Sequence, residues 1–468
     1  MSLDALRGYA ILTMILSGQI LLTHMPAWMA HAQVPPGKGF DPTIYGITWV
    51  DLVFPFFLFA MGAAFPFSIG TKILKKENKI KLSWDALVRA AQLVFFALFF
   101  QHMKPFVISN TETSFSSLTS LFAFGLMSLL FVTFSLPFLK TNKQLIWGNR
   151  ILKIIAFSSG ILLLNSISYT GKASPDFDLY FSDIILIVLA NMALFGSIIY
   201  IFTYQKPIYR IAVLPFIMAI FLSSTTEGWV KQLYNYTPIP WAYSFYYLKY
   251  LFIVIPGSIA GEYLYEWINT KPAQEELNTN LKKIYAIAIA SFLLIVANVS
   301  FLYTRLLEIN LLFSLVLLSS IYLLIKNETS SYGILWKRFF IAGAYCLILG
   351  LFLEAYEGGI RKDQSTYSYY FVTSGLAFFT LLLFSILCDY LKFKKGTSFL
   401  VIAGKNPMVA YVSTSLIIMP LLTLLGLSTY FNVFNDSSFM GFLRGILFTT
   451  LAFLITIFFS KIKWFWRT

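Results

Sequence analysis

Two residues near the start of the chain have the types and the spacing of a catalytic pair. His31 lies in a polar loop, and Asp51 follows at the mouth of the apolar stretch GITWVDLVFPFFLFAMG, residues 46–62. An imidazole titrates near neutral pH, so it can act as a general base or a nucleophile, and a neighbouring carboxylate can orient the ring or stabilise its charge. The ordinary alternatives are a surface histidine and an aspartate that caps a helix N-terminus. We predict that His31 and Asp51 are the catalytic residues.

The same stretch carries two residues that predict close packing around it. Pro55 has no N–H, so it frees the backbone carbonyl one helical turn earlier, and that carbonyl then needs another partner. Gly62 has no side chain and allows a neighbouring helix to approach. We therefore expect the rest of the chain to be arranged around this stretch.

Four polar residues at the edges of other apolar stretches are candidates for binding a phosphorylated cofactor. Asp4 and Arg7 lie one turn apart where the first stretch begins, and Lys405 and Asn406 interrupt a late one. Arginine makes bidentate contacts to phosphate, and charge inside a membrane usually faces a cavity or a partner. The alternatives are a local Asp4–Arg7 pair and a structural ion pair at Lys405.

Two polar segments combine aromatic rings with charged groups, a combination suited to stacking on sugar rings and bonding their hydroxyl groups. The first, residues 226–244, contains Trp241. The second, residues 355–367, contains Glu357 and Arg361. We predict that these three residues bind the substrate, although tryptophan and tyrosine also mark any membrane interface.

Composition assigns the chain to the integral membrane proteins. It has 468 residues, of which 58% are hydrophobic and only 12% charged, whereas soluble domains carry about 25% charge. The net charge of +14 comes from basic residues in short loops between apolar stretches, so it predicts membrane orientation and no nucleic-acid partner. Cys346 and Cys388 both fall in apolar stretches, so neither a disulfide framework nor a metal site is predicted.

The apolar stretches predict an all-α, polytopic helical bundle with about 12–14 transmembrane helices in a single domain, residues 1–468. A span needs about 17–25 apolar residues. Placing most of the 35 lysine and arginine residues on the inner side puts both termini in the cytoplasm and the His31 loop outside. The fourteen candidate spans are 8–24, 49–70, 86–104, 117–139, 151–169, 183–203, 208–225, 245–267, 283–302, 307–325, 335–355, 367–390, 399–426 and 439–460.

Several of these motifs together resemble the heparan-α-glucosaminide N-acetyltransferase family. The opening SLDALRG at residues 2–8, the His31-Ala32 dipeptide and DLVFPFFLF at residues 51–59 followed by Met61-Gly62 carry the resemblance. It is specific over residues 2–62 and weaker over 355–420, where Gly404-Lys405-Asn406 is similar to a late motif of the family. The family often has an asparagine near the outer end of the first helix, where this chain has Ser17-Gly18-Gln19.

This resemblance implies acetyl transfer across a membrane. Acetyl-CoA would be supplied from the cytoplasm, and an amino sugar or related glycan would accept the acetyl group on the far side. His31 corresponds to the family's catalytic histidine, as base or as acetyl carrier, and Asp51 to its acidic residue. The other partners implied are membrane lipids of a bacterial inner membrane and a second copy of the chain in a homodimer. The alternatives are a different glycan acceptor and a saccharide or lipid-linked glycan transporter that transfers no acyl group.

Overall fold

The computed structural model describes residues 1–22, 25–111, 113–131, 143–270, 281–435 and 437–466. Within these ranges the regular structure is helical, with no β-strand, and the protein is an all-α polytopic membrane bundle as predicted. Apolar side chains cannot satisfy backbone polar groups, and a hydrocarbon environment supplies no water, so the helix satisfies them internally.

Fifteen helices organise the described residues, together with shorter helical turns between them. They are α1 (Ser2–Gln19), α2 (Trp49–Leu74), α3 (Lys79–His102), α4 (Ser114–Phe131), α5 (Lys143–Ser166), α6 (Ile184–Phe202), α7 (Pro207–Ser223), α8 (Leu251–Thr270), α9 (Leu281–Thr304), α10 (Leu307–Ile325), α11 (Ser331–Glu357), α12 (Tyr367–Tyr390), α13 (Lys394–Lys405), α14 (Pro407–Leu424) and α15 (Ser438–Lys461).

Each of the fourteen predicted spans overlaps a described helix, although several bounds differ: the first helix is Ser2–Gln19 where 8–24 was predicted. In the described part of the chain, nine helices are long and apolar enough to cross a membrane by length and composition, and three more apolar helices are shorter. The span predicted at 399–426 is two helices, α13 and α14, which meet at Asn406 and Pro407. Proline disfavours helical backbone in the residue before it, which explains the break. The end of the span predicted at 117–139 lies outside the described residues.

Helix α12 lies at the centre of the bundle and supplies the hydrogen bonds that two prolines remove from their own helices. Pro55 in α2 leaves the carbonyl of Asp51 free, and the hydroxyl of Tyr369 donates to that carbonyl at 2.8 Å. Pro256 in α8 leaves the carbonyl of Phe252 free, and Ser374 Oγ donates to it at 3.1 Å. The partner expected for the carbonyl before Pro55 is therefore a side chain of α12, which fixes the mouth of α2 against the core.

Glycines set the closest helix contacts around the same stretch. A Cβ added to Gly62 would meet the carbonyl oxygen of Val254 in α8 at 2.2 Å, so the close approach predicted at Gly62 is confirmed. At Gly8 in α1 an added Cβ would lie 1.8 Å from the carbonyl oxygen of Leu400 in α13, and at Gly404 it would lie 1.8 Å from that of Asp4. Backbones in direct contact hold α1, α2, α8 and α13 at fixed separations.

Candidate active site

His31 and Asp51 meet at the N-terminal end of α2, on the side of the bundle that carries the His31 loop, which we name the outer side. The distance from His31 Nδ1 to Asp51 Oδ1 is 2.7 Å. The Asp51 side chain is only 2% exposed, whereas the imidazole is 39% exposed and faces a cavity. The contact predicted from the sequence is therefore present, with the carboxylate buried behind the ring.

The hydrogen bonds to Asp51 fix which nitrogen of His31 carries the proton. Asp51 Oδ2 accepts from the backbone N–H of Thr48 at 2.9 Å and of Ala32 at 3.2 Å. A carboxylate held this way only accepts, so the close Nδ1 atom must be the donor to Oδ1. Nε2 then keeps its lone pair and is free to take a proton or to attack a carbonyl group. Asp51 also closes the capping box of α2 with Thr48, so its capping role and its contact to His31 hold together.

A second outer loop, residues 358–366, holds the His31 loop in place. Gln33 Nε2 donates to the carbonyl of Asp363 at 3.0 Å, and the N–H of Asp363 donates to Gln33 Oε1 at 2.7 Å. The N–H of Gly46 donates to the carbonyl of Ile360 at 2.8 Å. The guanidinium carbon of Arg361 lies 5.1 Å from the centroid of the Tyr45 ring. These contacts bind the two loops into one unit, which limits the positions that His31 can take.

An outer cavity of about 420 Å³ opens beside the imidazole. Its wall is formed by the outer ends of α1, α2, α3, α6 and α14 and by the two loops. Apolar side chains make up most of the wall, and a few polar groups interrupt it, as is usual for a ligand-binding cavity. The polar side chains on the wall include His31, Lys104, Tyr250, Lys362, Asp363 and Tyr411.

An inner cavity of about 670 Å³ lies at the opposite end of α1 and carries a cluster of cations. Arg7 pairs with Asp4 at 3.3 Å, as predicted for residues one turn apart, and donates to the carbonyl of Gly404 at 3.0 Å. Arg89 and Lys405 line the same cavity, and among the described residues neither is paired with a carboxylate. The buried Nε of Arg89 has no hydrogen-bond partner within the same set of residues. The cavity therefore has cationic groups free to bind an anion.

The two cavities lie along the same set of helices, α1, α2, α3, α6 and α14. In α6, Val188 lines the outer cavity and the next residue, Leu189, lines the inner one. In α2, Phe54 and Phe57 lie on either side of the boundary, three residues apart. Since one helical turn spans about 5.4 Å, the walls of the two cavities are separated by roughly one turn.

Four residues predicted as ligand contacts lie away from the two cavity walls. Asn406 is buried and holds the C-terminal segment, donating to the carbonyl of Trp464 at 2.9 Å. Glu357 accepts from the backbone N–H groups of Tyr367 and Ser368, which start α12.

The other two serve different places. Arg361 donates to the carbonyl of Pro42 at 3.2 Å and so joins the two outer loops. Trp241 lines a separate, apolar cavity of about 640 Å³ between α3, α6 and residues 236–243. The ligand-binding roles of these four residues stay predictions, and the contacts observed are structural.

Sequence reasoning missed Lys362, Asp363, Lys104 and Arg89, all of which line a cavity. The polar segment 355–367 was identified, but the residues chosen within it were Glu357 and Arg361. Lys362 and Asp363 lie in a turn, where no periodicity indicates which side chains face inward. Arg89 lies in α3, and its charge within an apolar stretch was the signal that could have found it.

Comparison with known families gives a family without an assigned activity. A family model described as a domain of unknown function, DUF5009, matches residues 1–264, more than half of the chain. The chain belongs to the DUF5009 family. The DUF5009 match includes His31, Asp51, Arg7 and Arg89, while Lys362 and Lys405 lie beyond it. No curated protein matches this DUF5009 chain.

Proposed function

We propose that this protein transfers an acetyl group from acetyl-CoA, bound in the inner cavity, to an amino sugar or related glycan acceptor in the outer cavity. One observation carries the proposal. The oriented imidazole of His31 and the cation cluster of Arg7, Arg89 and Lys405 lie in two cavities whose walls are about one helical turn apart along the same helices.

The inner cavity suits the anionic donor. Coenzyme A carries several phosphate groups, and guanidinium groups bind phosphate through paired hydrogen bonds. Arg89 and Lys405 are not neutralised by a carboxylate of the described chain, while Asp4 neutralises Arg7 in part. A phosphate in this cavity would therefore meet a net positive field in surroundings that weaken screening by water.

The outer cavity suits the acceptor and the transfer step. Nε2 of His31 can take the proton that an amine loses when it attacks the thioester carbonyl, or can carry the acetyl group itself. Asp51 stabilises the imidazolium in the first case and the acyl-imidazole's Nδ1–H in the second. Basic residues lie near the inner cavity, and such residues favour the cytoplasmic side of a membrane. This supports an orientation with the inner cavity and both termini facing the cytoplasm of a bacterial cell and His31 on the far side.

Sealed proteoliposomes test the proposal. Acetyl-CoA with a labelled acetyl group is supplied on the side of the inner cavity, and glucosamine is enclosed on the other side. We expect labelled N-acetyl product from the wild-type protein, none above background from His31→Ala, and an unchanged rate from Trp28→Ala, an exposed residue of the same loop. Movement of unmodified sugar with no acetylation by wild-type protein would refute the proposal and favour a transporter.

The donor site has its own test. Arg89→Gln removes a cation from the inner cavity. A hydrogen bond to a charged group contributes about 1.5–3 kcal/mol to the free energy of binding. The variant should therefore raise KM for acetyl-CoA about tenfold or more, with a smaller effect on kcat. Lys81→Gln, at an exposed position of the same helix, is the matched control and should leave KM unchanged. An unchanged KM in Arg89→Gln would exclude this cavity as the phosphate site.

A further inference from the structure

Lys362 is the cation of the outer cavity that lies closest to the reacting nitrogen. Its Nζ is 3.5 Å from His31 Nε2 and 3.3 Å from Nδ1. Nδ1 already donates to Asp51, so Nε2 is the ring atom that can accept from the ammonium group. No carboxylate of the described residues lies within ion-pair distance of Lys362. The ammonium group is therefore held beside the imidazole without a charge partner in direct contact.

The fold places Lys362 there through its backbone neighbours. The adjacent residue, Asp363, exchanges two hydrogen bonds with Gln33, two residues after His31. The preceding residue, Arg361, donates to the carbonyl of Pro42 in the same loop. Lys362 lies between these two anchors, so its backbone is fixed relative to His31.

The geometry points to Lys362 as the residue that stabilises the oxyanion formed on the acetyl carbonyl during transfer. This inference rests on the proposed function. A carbonyl under attack beside Nε2 must lie within a few ångströms of an ammonium that is itself 3.5 Å from Nε2. A cation placed where negative charge develops lowers the activation barrier, because its attraction to the oxygen is stronger in the transition state than in the bound substrate.

The transfer step is balanced with the groups present. The acceptor amine forms a bond to the carbonyl carbon, and the carbonyl π electrons move to the oxygen, whose negative charge faces the Lys362 ammonium. The amine proton passes to His31 Nε2. The oxyanion then re-forms the carbonyl, the carbon–sulfur bond breaks, and the coenzyme leaves as a thiolate that takes the proton back from the imidazolium. If Nε2 attacks first, the same oxygen carries the same charge.

Two other polar side chains on the wall, those of Lys104 and Tyr411, are already engaged. Lys104 lies 3.7 Å from the carboxylate of Asp183 and donates to Gln101 Oε1 at 2.6 Å. The hydroxyl of Tyr411 donates to the same Asp183 carboxylate at 3.0 Å. Lys362, by contrast, has the imidazole as its close side-chain partner among the described residues.

The test compares Lys362→Met and Lys362→Arg with Lys38→Met, an exposed lysine of the His31 loop. We expect Lys362→Met to lower kcat about 10²- to 10³-fold with KM for acetyl-CoA unchanged, as for the loss of one oxyanion donor. Lys362→Arg should recover part of the rate, and Lys38→Met should match wild type. Diethyl pyrocarbonate reacts with the uncharged imidazole, so the rate to compare is the limiting rate reached at alkaline pH. This limiting rate for His31 should be the same in all four proteins, because the ring keeps its position.

Each other result overturns the inference in a recognisable way. A rate for Lys362→Met within about threefold of wild type would remove Lys362 from the transition state. A slow rate together with altered modification of His31 would mean that Lys362 acts only by placing the ring. If the wild-type protein transfers no acetyl group, the proposed function fails and this inference fails with it. If wild type and Lys362→Met transfer acetyl groups at the same rate, only the role of Lys362 is refuted.

Discussion

Replacing Asp51 by asparagine tests whether the buried carboxylate fixes the proton on His31. The amide has nearly the same shape, but it can accept hydrogen bonds at one end only. Asp51 Oδ2 accepts two backbone N–H groups, from Thr48 and Ala32, while Oδ1 faces His31 Nδ1. The amide oxygen should take the Oδ2 position, because the opposite orientation would set the NH₂ group against two backbone donors.

The structure gives the size of the effect. Turning the amide round leaves two buried donors unpaired, at about 1–3 kcal/mol each. In the favoured orientation the NH₂ group donates to Nδ1, so the ring proton moves to Nε2 and the lone pair facing the cavity is lost. Restoring the active form then requires about 2–6 kcal/mol, which corresponds to a rate lower by roughly 30-fold to 10⁴-fold.

The assay is the initial rate of labelled acetyl transfer in proteoliposomes, with thermal unfolding in detergent as the check on folding. Asp51→Asn keeps the acceptor for both backbone N–H groups, so its melting temperature should fall only slightly. Asp41→Asn is the control, since Asp41 lies in the His31 loop and, among the described residues, its carboxylate accepts hydrogen bonds from Thr43 only. Those bonds hold the pKa of the Asp41 carboxyl below its usual range. The control variant should keep the wild-type rate. A folded Asp51→Asn protein with more than about a tenth of the wild-type rate would refute the argument.

Three further predictions concern the framework around the site. Tyr369→Phe should destabilise the wild-type protein by about 1 kcal/mol, but it should hardly affect a Pro55→Ala background, in which the helix satisfies its own carbonyl. A double-mutant cycle of thermal unfolding should therefore show a coupling energy of about 1 kcal/mol, and additive effects would contradict this. Gly404→Ala should destabilise the protein by about 1–3 kcal/mol or prevent folding, because the added Cβ would lie 1.8 Å from a backbone oxygen. Gly125→Ala is the control, since a Cβ there would have nothing within 4 Å, and it should leave stability unchanged. Equal melting temperatures for the two variants would contradict the packing argument. Gln33→Ala removes both hydrogen bonds to Asp363 in the second outer loop. It should lower kcat about tenfold with little change in melting temperature. An unaltered kcat would show that these two hydrogen bonds do not position the site.

The sequence was sufficient for the class of fold and for the central pair. Each predicted span overlaps a helix because the thickness of the hydrocarbon layer requires long apolar runs, and such runs are visible in the sequence alone. His31 and Asp51 are only 20 residues apart, in a loop and the helix that follows it, so local order along the chain brings them together. The Asp4–Arg7 pair was predictable for the same reason, as both residues lie on one helical turn.

Tertiary structure alone decided which other residues join the site. Lys362 is 331 residues from His31, and Tyr369 is 318 residues from the carbonyl it caps. Hydropathy could not reveal such contacts, because lipid is as apolar as a protein core and buried helices look like lipid-facing ones. The most apolar 18 residues of α12 and of α15 have nearly equal mean hydropathy, 2.2 and 2.1, yet 83% of the first set and 22% of the second are buried. The rotation of each helix about its axis, fixed by glycine contacts and freed carbonyls, determines which polar groups face the two cavities.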